Sequence, residues 1–314
     1  MTLANDTLDP DRILAAKGKS FYWARHLLGA RHSSRATRLY RFCRYVDDLA
    51  DEDQSVASAK KNIAALRDSI LSGSTQDVVV QDGIALITDC QIDKSVVLDL
   101  IAGVCSDTEL VRMTDEAHLL QYCYQVAGTV GLMMCNVLDV DHPEAQAFAI
   151  DLGMAMQLTN VCRDIQADAL VDRRYIPSAL VNGLAPSELI EPSDAHKKMV
   201  QEAVATLLNL ADDYYRSGEQ GLSYLPFRAR LSILVAARLY REIGQQLRRE
   251  HYEYWHQRIV VSKAKKIRLT IEVLLTAPFT LKFWRYPSQH NDKLHAPLVA
   301  KDTETHLSIK GHAN

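Results

Sequence analysis

The sequence contains little that would interrupt a helix, with only 13 glycines and 9 prolines among 314 residues. Between them, apolar residues recur with the spacing of helix faces and do not alternate as they do in half-buried strands. No run approaches the roughly 20 apolar residues that a helix needs to cross a bilayer. The scarcity of helix breakers predicts an all-α chain, and the lack of long apolar runs argues against a transmembrane span.

Other absences narrow the function. The six cysteines show no CxxC pair and no Cys/His spacing of a zinc site, which indicates reduced thiols and a cytoplasmic location. The first residues lack a basic region followed by an apolar stretch, so we expect no signal peptide. A formal net charge of −3 gives no argument for nucleic-acid binding. No Ser/His/Asp or Cys/His arrangement indicates a nucleophilic enzyme.

Residues 157–170, QLTNVCRDIQADAL, carry polar side chains at helical spacing. Intervals of three, four and four residues place them on one side of a helix. This set, the 157–168 stripe, consists of Gln157, Asn160, Asp164 and Asp168. The apolar face beside it is formed by Leu158, Val161, Ile165 and Ala169.

A similar pattern occurs earlier, in LYRFCRYVDDLAD. The polar set, the 40–51 stripe, consists of Tyr40, Arg44, Asp47 and Asp51. Its companion apolar face contains Leu39, Phe42, Val46 and Leu49. Asp48 points partly aside from the stripe and is assigned a supporting role.

The two stripes predict a metal site. Carboxylates one helical turn apart repel each other by roughly 3 kcal/mol at an effective dielectric near 20. Stripes that face one another would therefore need a cation between them, and oxygen ligands suit Mg²⁺, with Mn²⁺ as the alternative. The metal-ligand candidates are Asp47, Asp48, Asp51, Asn160, Asp164 and Asp168. Because Mg²⁺ commonly joins carboxylates to substrate phosphates, the pattern predicts a diphosphate site; the alternative is two solvated acidic helix faces.

Two arginines accompany the carboxylates. Arg44 lies on its stripe, which favours a bidentate contact with a phosphate. Arg163 lies about 100° around the helix from Asp164. It is assigned either to the diphosphate or to a structural ion pair.

Several blocks of the sequence resemble the squalene/phytoene synthases, a family that joins two isoprenoid diphosphates head to head. They are KGKSFYWA, CRYVDDLADED, YCYQVAGTVGLMM, DLGMAMQLTNVCRDIQAD, RRYIP and ARLYREIG, and they follow the family's order over most of the chain. The resemblance is greatest to bacterial phytoene synthases. It implies an isoprenoid-synthase-type helical bundle around a central cavity.

The resemblance implies further site residues. It assigns diphosphate contacts to Lys19, Ser20, Phe21, Arg174 and Tyr175, in addition to Arg44 and Arg163. It assigns the lining of the cation-bearing cavity to Tyr40, Gln157, Tyr240 and Tyr122. A phenol or an amide offers a dipole to a carbocation without quenching it, and aromatic faces add cation–π attraction. Lys17 and Gly18 depart from the family's pattern.

Small residues cluster at Ala127, Gly128 and Gly131 in a predicted helix. Glycine costs about 1 kcal/mol relative to alanine inside a helix. The cluster therefore indicates room for either a neighbouring helix or a long polyprenyl chain, and Gly128 is assigned to the cavity.

The implied reaction condenses two geranylgeranyl diphosphates, through a cyclopropylcarbinyl diphosphate, to phytoene for carotenoid biosynthesis. A first alternative uses farnesyl diphosphate to make squalene, with NADPH, or dehydrosqualene. A second is a class I terpene cyclase, whose N-x3-S/T-x3-E metal motif shares the spacing of Asn160, Asp164 and Asp168. A third is a non-catalytic helical subunit, against which the cost of burying unneeded carboxylates argues.

We predict one catalytic domain over residues 1–286 and a polar, mobile tail over 287–314. Late helices are predicted over roughly Asp194–Gly218, Pro226–Glu250 and Ser262–Trp284, and Ser72–Gly83 is predicted to be a loop.

Near the end of the predicted domain, basic residues precede an apolar stretch, Ile271–Phe283. They are Lys263, Lys265, Lys266 and Arg268. This pattern predicts either peripheral contact with the inner face of the cell membrane or simply the solvated side of an amphipathic helix.

Overall fold

The computed structural model describes residues 10–51, 55–287 and 289–298, without the side chain of Asp51. Its α-helices are α1 (Pro10–Lys17), α2 (Lys19–Ala24), α3 (Ala30–Asp51), α4 (Val56–Ser72), α5 (Val78–Asp89), α6 (Lys94–Ser106), α7 (Glu116–Cys123), α8 (Thr129–Val137), α9 (Ala145–Leu170), α10 (Pro186–Ile190), α11 (Asp194–Gly218), α12 (Phe227–Arg249), α13 (Lys263–Thr276) and α14 (Leu281–Trp284). Short 3₁₀ helices lie at Arg25–Leu27, Ser178–Leu180, Glu219–Tyr224, Ala277–Phe279 and Asp292–His295. Within the described ranges there is no β-strand, only an isolated bridge between Arg112 and Arg174. The prediction of an all-α fold is confirmed.

Helix α9 carries the 157–168 stripe and lies at the centre of the fold. It packs against α11, α8, α10 and α12. The predicted apolar face is buried throughout, at Leu158, Val161, Ile165 and Ala169. Because one side of α9 joins this core, its polar stripe faces a different direction.

Helix α3 carries the 40–51 stripe and packs on a second apolar cluster, shared with α4, α5, α6 and α8. Leu39, Phe42 and Val46 are buried there as predicted, and Leu49 is half-buried. The two apolar clusters hold α3 and α9 in place, each with its polar stripe outside the cluster.

The predicted loop at Ser72–Gly83 is wrong over its second half. Helix α5 begins at Val78, and the Asp77 carboxylate accepts hydrogen bonds from the amides of Val79 and Val80 at 2.8 and 3.0 Å. Val80 is buried, and Gly83 lies so close to Phe42 that a Cβ atom there would be 2.4 Å from the ring. The N-cap and this packing outweigh the weak helix propensity of three consecutive valines.

The long helix around YCYQVAGTVGLMM is divided. Five residues, Tyr124–Gly128, wind as π-helix between α7 and α8. Such π-turns often occur at functional sites. Here Val126 and Ala127 of the π-turn line the central cavity described below.

Part of the predicted C-terminal tail contacts the helical body. The Tyr214 hydroxyl donates a hydrogen bond to the carbonyl of Leu294 at 2.7 Å. His290 and His295 both contact Asp151 on α9. The domain boundary after Tyr286 and the mobility of the tail stay predictions, and residues 299–314 lie outside the described residues.

Candidate active site

Two members of each polar stripe line one cavity. Helix α3 contributes Tyr40 and Asp47 to its wall, α9 contributes Gln157 and Asn160, and α12 contributes Tyr240. The cavity has a volume of about 280 Å³, close to the lower end of the range of about 300–1,000 Å³ for small-molecule sites. Most of the remaining wall is apolar and comes from α2, α3, α8, α9 and α12, the π-turn and the 3₁₀ turn at Glu219–Tyr224. The arrangement suits a molecule with a polar head and a long hydrocarbon chain.

Three aromatic rings meet at this wall. Phe21 lies with its ring centre 5.2 Å from that of Tyr240 and 6.2 Å from that of Tyr40. Burial raises the pKa of both phenols, so they stay neutral at physiological pH. Neutral aromatic groups of this kind can stabilise a cation without accepting its proton.

The small residues of the π-turn and α8 allow helices to approach closely. A Cβ atom on Gly131 would lie 2.1 Å from the carbonyl oxygen of Ala149, and one on Gly153 would lie 2.2 Å from that of Ala127. All four residues also line the cavity. The glycine-rich stretch thus allows close packing of a neighbouring helix, as one interpretation predicted, and room for a polyprenyl chain stays a prediction.

Gly128 and Tyr122 do not form part of the cavity wall. A Cβ atom on Gly128 would meet Tyr124 and Ile150. The Tyr122 hydroxyl donates to the Asp107 carboxylate at 2.9 Å. Neither residue is among those that line the cavity, and their roles in the reaction stay predictions.

The side-chain oxygen of Asn160 is a candidate ligand for a cation. Its Nδ2 donates to Oε1 of Gln157 at 3.2 Å. Its Oδ1 is buried and finds no hydrogen-bond donor among the described residues. An unsatisfied buried oxygen costs about 1–3 kcal/mol, and a cation ligated by this oxygen would remove that cost.

Asp164, the next member of the stripe, is held by two guanidinium groups. Arg163 Nε and Arg258 Nε each donate to its Oδ1 at 2.8 Å. Burial opposes ionisation, but the two arginines keep the pKa of Asp164 below its ordinary value. Arg163 thus makes the predicted structural ion pair, and its contact with a diphosphate stays a prediction.

Asp168 lies one turn further along α9, beside Arg173, Arg174 and Tyr175 in a small cleft. Burial, followed by the nearby charge of Asp164, raises the pKa of Asp168 to about 7. The negative charge of Asp164 thus adds to burial in disfavouring ionisation of Asp168.

On α3, Asp48 forms an ion pair with Arg44 one turn earlier. Asp47, on the cavity side of the same turn, has its side chain half-buried. Asp51 ends the helix, and its side chain lies outside the described residues. The ligand roles of these carboxylates stay predictions.

The element RRYIP follows α9 and closes against the loop after α6. The Tyr175 hydroxyl donates to Asp107 at 2.7 Å, and Arg173 donates to the Asp107 carbonyl at 3.1 Å. Arg174 is buried and donates to the carbonyl of Leu184 at 2.9 Å. These contacts fix the loop, and diphosphate binding by Arg174 and Tyr175 stays a prediction.

Lys19 and Ser20, at the start of α2, are exposed and half-buried respectively. The Lys19 carbonyl accepts a hydrogen bond from the buried Lys266 at 3.3 Å. Gly18, which departs from the family's pattern, lies against Tyr40, because a Cβ atom there would be 2.7 Å from the ring. The glycine therefore lets α2 approach the cavity.

Two charged residues near the predicted site were not identified from the sequence. Asp107 ends α6 and binds Tyr122 and Tyr175, and Arg258 lies in the segment after α12 and binds Asp164. Neither belongs to a periodic pattern. Their positions depend on contacts between distant segments.

The donor set fits a hard divalent cation. It offers carboxylate and amide oxygens from α3 and α9, including the unsatisfied Asn160 oxygen. The mutual repulsion felt by Asp168 also favours an added positive charge. Guanidinium groups nearby suit the phosphate oxygens that such cations bridge.

The all-α fold and the apolar cavity with polar side chains from α3, α9 and α12 suit a protein that processes prenyl diphosphates. A squalene/phytoene synthase family model matches residues 14–265, and the chain belongs to this family. The 15-cis-phytoene synthase of Enterobacter agglomerans is 31% identical over 297 residues, covering 86% of this chain and 98% of the relative. The 15-cis-phytoene synthase of a Paracoccus species is 34% identical and covers 74% of this chain and 78% of the relative.

Among solved structures, a dehydrosqualene synthase in complex with a ligand superposes with a TM-score of 0.78. It is 27% identical, and the match covers 88% of this chain and 98% of that one. Within the described residues, no helix combines the length and apolarity that crossing a bilayer requires.

Proposed function

We propose that this prenyltransferase condenses two geranylgeranyl diphosphates head to head to phytoene and releases diphosphate. The observation that carries the proposal is that Tyr40 and Asp47 of one stripe meet Gln157 and Asn160 of the other at one apolar cavity. The phytoene synthases that match over most of the chain at 31% and 34% identity favour the C20 substrate.

In this proposal, polar and charged residues of α3 and α9 bind the diphosphate. Asp47, Asp48, Asp51, Asn160, Asp164 and Asp168 are the candidates to hold Mg²⁺, or Mn²⁺ as the alternative. When bound, these cations would neutralise the charge that develops on the leaving diphosphate. Arg44, Arg163 and Arg258 lie beside the carboxylates and would donate to phosphate oxygens.

The cavity would shield the carbocation. The C–O bond of the first substrate breaks, and the double bond of the second substrate attacks the allylic carbon. Loss of a proton closes a cyclopropane ring. The resulting cyclopropylcarbinyl diphosphate ionises in turn, rearranges and loses a second proton. Phe21, Tyr40 and Tyr240 offer ring faces, and Gln157 an amide dipole, to these cations. The apolar wall would exclude the water that would otherwise capture them.

The likeness to a dehydrosqualene synthase favours one alternative, the same chemistry on farnesyl diphosphate. Formation of squalene would in addition need NADPH. The class I cyclase shares the metal spacing but has no support from the family match.

Product analysis distinguishes these reactions. Purified protein would be incubated with Mg²⁺ and either the C15 or the C20 diphosphate, with and without NADPH, and the products identified by mass spectrometry. We expect phytoene from the C20 substrate without NADPH. Squalene or dehydrosqualene as the main product would overturn the substrate assignment, and a cyclised terpene would overturn the reaction class.

We further propose that the enzyme is cytoplasmic and contacts the membrane surface. Large apolar side chains are exposed along α13, the following 3₁₀ turn and α14: Ile267, Ile271, Leu275, Phe279, Leu281 and Trp284. Lys263, Arg268 and Lys282 are exposed on the same segment. An exposed apolar surface with basic neighbours suits anionic lipid headgroups and would receive a lipid product directly.

Vesicle sedimentation tests this contact. The double variant Phe279→Ser/Leu281→Ser should bind anionic vesicles at least about tenfold more weakly than the wild type, because two apolar side chains no longer enter the lipid. Leu110, which is also exposed but lies between α6 and α7, provides the control Leu110→Ser. Equal binding by all three proteins would overturn the membrane proposal and leave the catalytic one intact.

A further inference from the structure

Asp151 is a fully buried carboxylate on α9 that the proposed reaction does not use. Two histidines of the C-terminal segment approach its two oxygens. His290 Nε2 lies 2.8 Å from Oδ2, and His295 Nε2 lies 2.8 Å from Oδ1. Candidate ligand atoms of the three residues all lie within 4.8 Å of one another.

The second ring nitrogen of His290 makes a contact of a kind that is common at metal sites. His290 Nδ1 lies 3.1 Å from Oδ1 of Asp292, which is itself 86% exposed. Metal-binding histidines usually donate their second ring nitrogen to such a carboxylate, which fixes the ring and strengthens the ligand. The side chains of His290 and His295 are only 9% and 19% exposed, so both rings are largely shielded from solvent.

We propose that Asp151, His290 and His295 form a binding site for Zn²⁺ or a similar divalent transition metal. Two imidazole nitrogens and one carboxylate oxygen form a recognised ligand set for zinc, with water in the fourth position. Ligand bonds of about 2.1 Å at tetrahedral angles separate neighbouring ligand atoms by about 3.4 Å. The two 2.8 Å contacts join the histidines to different oxygens of Asp151, so the side chains would have to turn for a metal to take both imidazoles and one of these oxygens.

The metal would attach the C-terminal segment to the wall of the cavity. Asp151 lies on α9 between Ala149 and Leu152, which line the cavity from the same helix. The Phe148 ring, also part of the lining, lies edge-on to His290 with 5.2 Å between the ring centres. The Leu294 carbonyl is already held by Tyr214. A bound metal would join Asp151 to residues 139 and 144 positions later in the sequence and stiffen this part of the cavity.

Cobalt binding tests the site directly, because tetrahedral Co²⁺ gives an intense visible absorption that six-coordinate Co²⁺ lacks. Full-length protein without an affinity tag would be treated with EDTA, dialysed and titrated with CoCl₂ in excess MgCl₂. We expect one equivalent of tetrahedral Co²⁺, displaced by Zn²⁺. Bound Zn²⁺ should also slow tryptic cleavage after Lys293, an exposed residue between the two histidines.

Two variants each remove a ligand and keep part of the hydrogen bonding. His295→Gln retains an N–H donor for Asp151, and Asp151→Asn retains one of the two acceptor oxygens. Each should weaken Co²⁺ binding by more than about 100-fold. Mutation of a residue that only hydrogen-bonds to a metal ligand typically costs about 10- to 100-fold in metal affinity. Circular dichroism would check that both variants are folded. His256, an exposed histidine that lies 3.0 Å from Glu253, provides the matched control His256→Ala, which should bind normally.

The variant Asp164→Asn separates this site from the proposed active site and should also retain Co²⁺. The proposal is overturned if the wild type takes up no tetrahedral Co²⁺ or if His295→Gln and Asp151→Asn bind it as the wild type does. Loss of Co²⁺ in Asp164→Asn alone would likewise overturn it, because the metal would then lie at the carboxylate stripes.

Discussion

Replacing Gly131 with alanine should destabilise the protein, although alanine is the better helix former. The added Cβ atom would lie 2.1 Å from the Ala149 carbonyl oxygen, whereas ordinary contacts begin near 3.4 Å. Helices α8 and α9 would have to separate by about 1.3 Å, and both are fixed by buried neighbours. Overpacking of this kind costs about 1–3 kcal/mol and opposes a propensity gain of about 1 kcal/mol. We therefore expect a net loss of up to about 2 kcal/mol.

Urea denaturation followed by circular dichroism measures this loss as a lower midpoint at unchanged slope. Gly244→Ala is the matched control, because it is also in a helix interior, but its nearest obstacle is a methyl group of Leu208 at 3.1 Å. A flexible side chain can yield where a backbone carbonyl cannot. The control should range from unchanged to about 1 kcal/mol more stable. If Gly131→Ala were as stable as the control, the close helix contact would not limit the packing of the cavity wall.

Three further predictions concern the N-caps of two helices and the contact between Tyr122 and Asp107. Asp77→Ala should cost about 1–2 kcal/mol of unfolding free energy through loss of the N-cap, and Asp77→Asn should retain most of it. Tyr122→Phe should cost about 1 kcal/mol in the same denaturation assay, because Asp107 loses a buried donor. The Ser95 amide lowers the pKa of Asp93 below its ordinary value of 3.8. Its stabilisation should be complete above pH 3.8 and be lost as the pH falls through the folded-state pKa, so acid titration of Asp93→Asn should show a shallower loss.

Much of the fold follows from helical periodicity in the sequence. The apolar faces predicted for α3 and α9 are buried except at Leu49, which is half-buried, and the predicted bounds of α11 agree with the structure. These features depend on local spacing and on the burial of apolar side chains, both of which are visible in one sequence. The valines of α5 were misassigned because their helix depends on a cap and on packing against Phe42.

The candidate site was predictable only where it follows a helix face. Tyr40, Asp47, Gln157, Asn160 and Tyr240 share a cavity because the helices that carry them converge. The salt bridge from Arg258 and the two tyrosine contacts of Asp107 join segments that have no common period. The Asp151 cluster was also not predictable from the sequence, because His290 and His295 lie in a segment predicted to be a polar tail.

The central claim is that carboxylates of both stripes drive metal-dependent release of diphosphate. The most direct test measures diphosphate release from geranylgeranyl diphosphate across a Mg²⁺ titration for Asp47→Asn and Asp164→Asn. Asp212 provides the control Asp212→Asn, since two arginines hold it at 2.8 and 2.9 Å and its side chain is 23% exposed, against 20% for Asp164. We expect both stripe variants to lose roughly 100-fold or more of the rate while the control remains active. Release at the wild-type rate and Mg²⁺ requirement by either stripe variant would contradict the claim.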